Sequence, residues 1–227
     1  MKKKEKIDLH KKNAALYSPE TEQAEYFRTL KTNVEMLNIG REIKSLVVTS
    51  PTKNSGKTLI SSNLAATYAQ YKMKTLLIDL DLRKPSIRYS FPETKESLGL
   101  SGLLDSSREL TLEQMVVKIE DTSLYVLPVG SKITLPHVVI NSITLKKIIE
   151  EAKAKFDIVI IDTPPLLSVT DALVISNLVD GSIMVVKNGY TKKQEMIKCH
   201  AMLSSNNNYL GVVYNMPDQT QNRYYYY

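Results

Sequence analysis

The chain has 227 residues, of which 43% are hydrophobic and 24% are charged, and its formal net charge is +6. These values are typical of a soluble globular protein with one domain and exclude a chain that is disordered throughout. No apolar run approaches the ~20 residues of a membrane span, and no signal peptide follows the lysine-rich start, so we expect a cytoplasmic protein. The single cysteine, Cys199, excludes an internal disulfide bond.

Lysines crowd the first dozen residues, and residues 1–18 predict a basic N-terminal arm. Arms of this kind are usually solvated, although they can also contact an anionic membrane surface. Neither stacking aromatics nor a DNA-binding motif accompanies the basic residues, so no nucleic-acid partner is predicted.

The segment after the arm predicts a helix. Ser18, Pro19 and Glu20 form the pattern of a helix start, and the helix should run to about Leu37. Apolar residues at helical spacing share one face: Tyr26, Leu30, Val34 and Leu37. Charged residues at three-residue steps share another face: Glu25, Arg28 and Lys31. Such a charged face is either solvated or forms a contact between subunits, and both interpretations remain open.

Residues 44–66 predict a strand, a phosphate-binding loop and a helix, in that order. The strand is apolar and β-branched, and the helix should cover residues 56–70. Between them, Ser55, Gly56, Lys57 and Thr58 match the end of a Walker A motif. In that motif the glycine and the helix N-terminus admit phosphate oxygens, the lysine reaches the β and γ phosphates, and the threonine ligates Mg²⁺. The match is imperfect, because Pro51 stands where the motif has its first glycine.

The rest of the chain alternates apolar strands with helices. Strands are predicted at residues 75–79, 124–127, 157–162, 182–186 and 210–214, helices at 112–119, 144–156, 171–178 and 192–203, and a loop at 93–102. This alternation indicates an α/β fold with a mostly parallel sheet and helices on both faces. We expect one P-loop NTPase domain at residues 19–217, followed by a tail at residues 218–227.

Three aspartates stand at the ends of predicted strands, where ligands bind in open parallel sheets. Side chains two residues apart in an extended chain point to the same side, so Asp79 and Asp81 should face one site together. Asp162 follows four apolar residues, which is the pattern of a Walker B carboxylate near Mg²⁺. Aspartate is also common at strand ends as a turn former. Three aspartates beside a phosphate loop nevertheless favour a site for ATP and Mg²⁺.

Tyrosine is concentrated at the end of the sequence. The chain has 13 tyrosines against three phenylalanines, and its last four residues, which we call the tail tyrosines, are Tyr224, Tyr225, Tyr226 and Tyr227. The tail has no periodicity and few aliphatic residues, so we expect it to be mobile. From Tyr214 it spans at most ~45 Å, enough to reach its own site or a neighbour's. Alternatively, it docks on an apolar groove. Asn215, directly after the last predicted strand, should lie near the nucleotide base.

Several segments resemble the bacterial tyrosine kinases (BY-kinases) of capsule and exopolysaccharide gene clusters, in the form where the kinase is a separate protein. The segments are SPTKNSGKT as Walker A, LLIDLDLRKP as Walker A′, IVIIDTPP as Walker B, EYFRTLK in the first helix, GVVYNMP after the last strand, and the tail tyrosines. The Walker motifs alone are shared with many ATPases. The combination of LIDLDLRKP with a tyrosine tail is far more specific.

The resemblance implies an ATP- and Mg²⁺-dependent protein-tyrosine kinase that phosphorylates its own tail between subunits and regulates polysaccharide polymerisation and export. It implies that Lys57 and Thr58 bind phosphate and Mg²⁺, that Asp79 and Asp81 bind metal and activate the tyrosine hydroxyl, and that Asp162 completes the metal shell. The expected phosphate acceptors are the tail tyrosines: Tyr224, Tyr225, Tyr226 and Tyr227.

The resemblance also implies partners. The family's ring-forming ExxRxxR helix corresponds to Glu25, Arg28 and Lys31, and the lysine loses the bidentate pairing of an arginine. A transmembrane adaptor would activate the kinase and hold it at the inner face of the plasma membrane. A cognate tyrosine phosphatase is expected as well.

Two other functions fit parts of the pattern. A MinD/ParA-like ATPase would share the fold, but its signature lysine falls at Thr52 in this chain, with Lys53 next to it. A scaffold without kinase activity would use nucleotide binding only to order a partner interface.

Overall fold

The structure, a computed structural model, describes residues 13–37 and 42–216. Most of the basic arm, Pro217 and the predicted tail at residues 218–227 lie outside the described residues. The tail tyrosines therefore have no structural description here: Tyr224, Tyr225, Tyr226 and Tyr227. Within the described ranges, no helix combines the length and the apolar character that crossing a bilayer requires.

The described residues form one sheet of seven strands. The strands are β1 Ser45–Thr49, β2 Thr75–Asp79, β3 Val117–Lys118, β4 Leu124–Leu127, β5 Ile158–Asp162, β6 Gly181–Lys187 and β7 Tyr209–Asn215. Their order across the sheet is β3-β4-β2-β5-β1-β6-β7. All pairings are parallel except the antiparallel pair β3 and β4. The carboxyl ends of β2, β5 and β1 therefore lie side by side, as the α/β prediction requires.

Helices cover both faces of the sheet. They are α1 Ala14–Tyr17, α2 Glu22–Met36, α3 Lys57–Gln70, α4 Gly99–Leu103, α5 Leu112–Met115, α6 Pro136–Ile140, α7 Ile143–Lys155, α8 Asp171–Ser176 and α9 Lys193–Ser204, and two short 3₁₀ turns lie at Ile87–Tyr89 and Pro92–Thr94. Leu46 and Val48 of β1 pack in the apolar layer that α2 and α3 share, whereas Val47 packs in the layer on α7 and α8. Burial on both faces explains why the central strands are continuously apolar.

The start of the domain differs from the prediction. Helix α2 begins after Thr21, whose hydroxyl accepts a hydrogen bond from the Ala24 amide at 3.3 Å, and not after Ser18. A short helix, α1, precedes it inside the predicted arm, and Ala15 is buried against α3. The amide of Ala15 donates to Asn63 Oδ1 at 3.0 Å, which attaches this turn to the phosphate-loop helix. The packed domain thus begins earlier than the predicted boundary at residue 19.

Short elements were also predicted wrongly. The helix expected at residues 112–119 ends at Met115, and the chain continues as β3 because Val117 and Lys118 pair with β4. The loop expected at residues 93–102 overlaps α4, and α6 was not predicted at all. Elements of two to five residues carry too little periodicity to be recognised in a sequence. The remaining strands and helices are confirmed to within two residues at each end.

Candidate active site

The phosphate loop connects β1 to α3 through two residues with left-handed backbone. Asn54 has φ 61° and Gly56 has φ 90°. A Cβ atom at Gly56 would overlap the Asn215 side chain, so this position requires glycine for space as well as for conformation. Asn215 Nδ2 donates to the Ser55 carbonyl at 2.9 Å, and Ser55 Oγ donates to the Thr52 carbonyl at 2.9 Å. These contacts hold the loop that leads into the N-terminus of α3.

Lys57 lies between two of the predicted carboxylates. Its Nζ is 2.9 Å from Asp81 Oδ2 and 3.8 Å from Asp162 Oδ2. Burial lowers the pKa of Lys57, but the negative charges of Asp162 and Asp81 outweigh that effect and raise it, so the ammonium stays charged. Thr58 Oγ1 donates to Asp162 Oδ2 at 2.6 Å. The structure thus brings together four of the predicted site residues: Lys57, Thr58, Asp81 and Asp162.

Asp79 is placed differently from Asp81. It is fully buried on β2 beside Asp162, with which it is in register. Its Oδ1 accepts the Asp81 amide at 3.1 Å, and its Oδ2 accepts the amides of Ser86 and Ile87 at 3.1 and 3.2 Å. Burial and the neighbouring Asp162 carboxylate raise the pKa of Asp79. Strand β2 ends at Asp79, so the extended-chain argument does not apply to Asp81, and the two carboxylates do not face one cavity together.

A cavity of about 380 Å³ opens in front of Lys57, Thr58 and Asp81. Basic and hydroxyl side chains that were not predicted as site residues also line it: Lys53, Arg83, Lys84, Ser86 and Ser168. Arg83 also pairs with the buried Asp171 at the start of α8, at 3.1 Å. The available signal was the basic pair that follows shortly after Asp81. Several cations around one cavity produce a positive potential suited to a polyphosphate.

The donor set fits Mg²⁺ bound together with phosphates. Asp162 Oδ1 is buried and makes no hydrogen bond with the described residues, which leaves one carboxylate oxygen for a ligand. Burial raises the pKa of Asp162, and Lys57 and Thr58 act in the opposite direction. No cluster of three or more acidic, histidine or cysteine side chains suited to a metal occurs among the described residues. Mg²⁺ commonly uses only one or two carboxylates, with substrate phosphates and water as its other ligands.

The predicted assembly residues lie on α2, outside the cavity. Arg28 Nε is 2.6 Å from Glu25, and both residues are at the surface. Lys31 instead turns inward with 7% exposure, 2.7 Å from Glu35 and with its Nζ 4.2 Å from the centre of the Tyr71 ring. The role of this helix in assembly stays a prediction.

The predicted phosphate acceptors lie outside the described residues, which end at Met216. The acceptor role stays a prediction for each of the four tail tyrosines: Tyr224, Tyr225, Tyr226 and Tyr227.

Comparison with known proteins identifies the family. The AAA domain family matches residues 46–211. The tyrosine-protein kinase YwqD of Bacillus subtilis is 35% identical over 88% of this chain and 84% of YwqD. The tyrosine-protein kinase CpsD of Streptococcus agalactiae serotype III is 34% identical over 86% of this chain and 83% of CpsD.

A solved structure supports the same family assignment. The crystal structure of the chimerical protein CapA2B2 is similar to this chain with a TM-score of 0.81 and 31% identity, over 90% of this chain and 91% of that one. The shared architecture therefore extends over nearly the whole described domain. Since relatives that are named tyrosine-protein kinases match it over most of their own length, the chain belongs to the bacterial tyrosine-protein kinases, on a P-loop NTPase fold.

Proposed function

We propose that this chain transfers the γ-phosphoryl group of ATP to the tail tyrosines of a neighbouring subunit. The observation that carries the proposal is the contact of Lys57 with Asp81 at the mouth of a cavity lined by further cations. A phosphate-binding lysine and a carboxylate within reach of the same point are the groups that phosphoryl transfer to a hydroxyl needs.

The carboxylates differ in what they can do. Asp81 faces the cavity, so we assign to it the acceptance of the tyrosine proton as the new bond between phosphorus and the phenolic oxygen forms and the bond to the ADP oxygen breaks. Asp79 has both oxygens occupied by backbone amides and holds the loop in which Asp81 and Ser86 lie. Thr58 and Asp162 would hold Mg²⁺, which neutralises charge on the phosphates when bound.

The adenine base would lie beside the loop that Asn215 holds against Ser55. The Asn215 side chain would then have two roles, because it would support the phosphate loop and also contact the base.

Assembly and regulation form the wider part of the proposal. A ring formed through the Glu25 and Arg28 face of α2 would bring one subunit's tail to the next subunit's cavity. A transmembrane adaptor with a cytoplasmic segment would activate the kinase at the inner face of the plasma membrane, and a tyrosine phosphatase would reverse the reaction. The resulting cycle would regulate capsular or exopolysaccharide polymerisation and export.

The test is incubation of the purified chain with ATP, Mg²⁺ and the adaptor's cytoplasmic segment, followed by mass spectrometry of the tail. We expect phosphate on one or more of the tail tyrosines, and its loss in the Lys57→Met variant. Steady phosphate release that is unaffected by changing the four tyrosines to phenylalanine, with no phosphotyrosine formed, would favour an ATPase instead. Nucleotide binding without either product would favour a scaffold.

A further inference from the structure

The Ser86 hydroxyl, to which the proposed reaction assigns no role, contacts the hydroxyl of the phosphate-binding motif. Ser86 Oγ lies 2.9 Å from Thr58 Oγ1, and both side chains line the cavity in front of Lys57. Thr58 belongs to the first turn of α3, whereas Ser86 belongs to the loop that follows β2. The contact therefore joins the phosphate-binding motif to the loop that also carries Asp81.

The other contacts of Thr58 fix the direction of this hydrogen bond. A threonine hydroxyl has one hydrogen to donate and two lone pairs that accept. Thr58 Oγ1 donates its hydrogen to Asp162 Oδ2 at 2.6 Å. The Lys57 ammonium faces the same carboxylate oxygen at 3.8 Å, which disfavours a proton on that oxygen. In the contact with Thr58, Ser86 is therefore the donor.

These two hydrogen bonds orient the Thr58 hydroxyl. Its hydrogen points to Asp162, and one of its lone pairs accepts the hydrogen of Ser86. Since the oxygen has only two lone pairs, a single lone pair is left for a ligand in the cavity. Hydrogen bonds of this kind hold the side chains that ligate metals in their binding orientation.

The backbone places Ser86 without help from its hydroxyl. The amides of Ser86 and Ile87 donate to Asp79 Oδ2 at 3.1 and 3.2 Å, and the Ile87 side chain is fully buried. The Ser86 hydroxyl does not cap the 3₁₀ turn that follows it, and Thr58 is its one hydrogen-bond partner among the described residues. Removal of this hydroxyl should therefore leave the loop in place.

We propose that Ser86 is a positioning residue for Mg²⁺, because its hydroxyl orients Thr58 so that the remaining lone pair of Thr58 binds the ion. The inference deepens the proposed function, since it rests on the assignment of Mg²⁺ to Thr58 and Asp162. It does not depend on which hydroxyl accepts the phosphoryl group.

The proposal also gives the buried Asp79 a role in metal binding without a direct contact to the ion. Asp79 Oδ2 holds the Ser86 amide, Ser86 donates to Thr58, and Thr58 donates to Asp162. Asp79 therefore acts on the metal site through the position of Ser86.

Binding of ADP to the full-length chain tests the proposal, and this measurement needs no phosphoryl transfer. Calorimetry gives the dissociation constant of ADP in Mg²⁺ and in EDTA, and the ratio of the two constants measures how much the ion tightens binding. We expect Ser86→Ala to reduce this ratio by about tenfold, because the loss of a hydrogen bond that orients a metal ligand weakens metal binding. The dissociation constant in EDTA should not change.

Two control variants accompany this measurement. Ser86→Thr keeps the hydroxyl and should retain the ratio of the wild type. Ser205→Ala removes an exposed serine hydroxyl at the C-terminal end of α9 and should change neither dissociation constant.

Ser86→Cys separates positioning from direct ligation. A thiolate prefers softer ions such as Zn²⁺ to Mg²⁺. If residue 86 ligated the ion itself, Zn²⁺ would tighten ADP binding more in Ser86→Cys than in Ser86→Ala, and this result would overturn the proposal. Positioning through Thr58 predicts the same effect of Zn²⁺ in both variants.

Two further results would also overturn the proposal. One is an equal ratio in the wild type and in Ser86→Ala. The other is a loss of ADP affinity that is as large in EDTA as in Mg²⁺, because it would place the Ser86 hydroxyl on the nucleotide. If Mg²⁺ does not tighten ADP binding in the wild type, the assignment of the ion to Thr58 fails together with this inference. The expected ratios without any phosphotyrosine would support the role of Ser86 and refute only the kinase reaction.

Discussion

Lys57 Nζ donates a hydrogen bond to Asp81 Oδ2 at 2.9 Å across the mouth of the phosphate site. The lysine that a phosphate loop provides for the nucleotide is thus held by the carboxylate to which we assign proton transfer. Nucleotide phosphates would draw Lys57 away from Asp81 and leave the carboxylate free for the incoming tyrosine hydroxyl. Phosphate binding by Lys57 and proton acceptance by Asp81 are therefore linked by one contact.

Asp81→Asn should lower the rate of phosphotyrosine formation by ~10²–10⁴-fold, because the amide cannot accept the proton. Binding of ATP should change little, since Lys57 remains and loses only a competing partner. The rate is measured by quantitative mass spectrometry and binding by calorimetry. Asp121→Asn is the matched control, because Asp121 is exposed in a turn with φ 56° that asparagine tolerates. Equal rates in the two variants would refute the assignment of Asp81.

Gly56→Ala should weaken nucleotide binding on the order of 10- to 100-fold, because the new Cβ meets the Asn215 amide and the backbone is left-handed. Asn215→Ala alone should weaken it less, through loss of the bond to the Ser55 carbonyl. In the double variant the overlap is gone, so part of the affinity should return. Strictly additive effects in calorimetric titrations would show that the two residues do not interact.

Much of the site could be predicted because it follows from the sheet. Strands buried on both faces are continuous apolar runs, and their carboxyl ends meet at one edge of the sheet, so Asp162 at the end of β5 and the loop from β1 to Lys57 must converge. The relative positions of Asp79 and Asp81 were harder to predict. The argument that they share one side needs an extended backbone, and β2 ends at Asp79. The Asp81 amide returns to Asp79 Oδ1, which no spacing rule reveals.

Lys31 shows a second limit of spacing arguments. Residues three apart on a helix fall ~60° short of a full turn, so Lys31 lies about 120° around the helix from Glu25. That rotation carries its side chain from the solvent face to the contact with α3. There it pairs with Glu35 and lies over Tyr71. A row of charges in the sequence is therefore not a single surface in the fold.

Lys31→Met should lower the free energy of unfolding by ~1–2 kcal/mol, because the ion pair and the cation–π contact are lost at a buried position. The subunit number should stay the same, since Lys31 contacts its own chain. Urea titration measures the first quantity and analytical ultracentrifugation the second. Lys147→Met, at an exposed position of α7, is the control and should affect neither. Dissociation of the assembly with unchanged stability would place Lys31 in a subunit contact.

Asp180 lies just before β6, at the end of the strands opposite the active site, and connects α7 to β1. Its carboxylate accepts hydrogen bonds from Lys153 Nζ at 2.8 Å, from Ser45 Oγ at 2.8 Å and from the Lys44 amide at 3.0 Å. Burial raises the pKa of Asp180, but the hydrogen bonds from Lys153 and Ser45 outweigh burial, and the pKa is lowered overall. The folded state therefore prefers the ionised carboxylate.

A lowered pKa fixes the sign of the pH dependence. The stabilisation of the folded state by the ionised Asp180 carboxylate is complete above the carboxylate's pKa of ~3.9 in the unfolded chain. It is lost as the pH falls through the lower pKa that Asp180 has in the folded state. Asp180→Asn should thus cost about 1–2 kcal/mol of unfolding free energy near neutral pH, and the difference from the wild type should shrink below about pH 4. Urea titrations of both proteins across this range measure it, with Asp121→Asn as the control for removing an exposed carboxylate. A difference that stays constant down to the acid end would show that the side chain acts through packing and not through its charge.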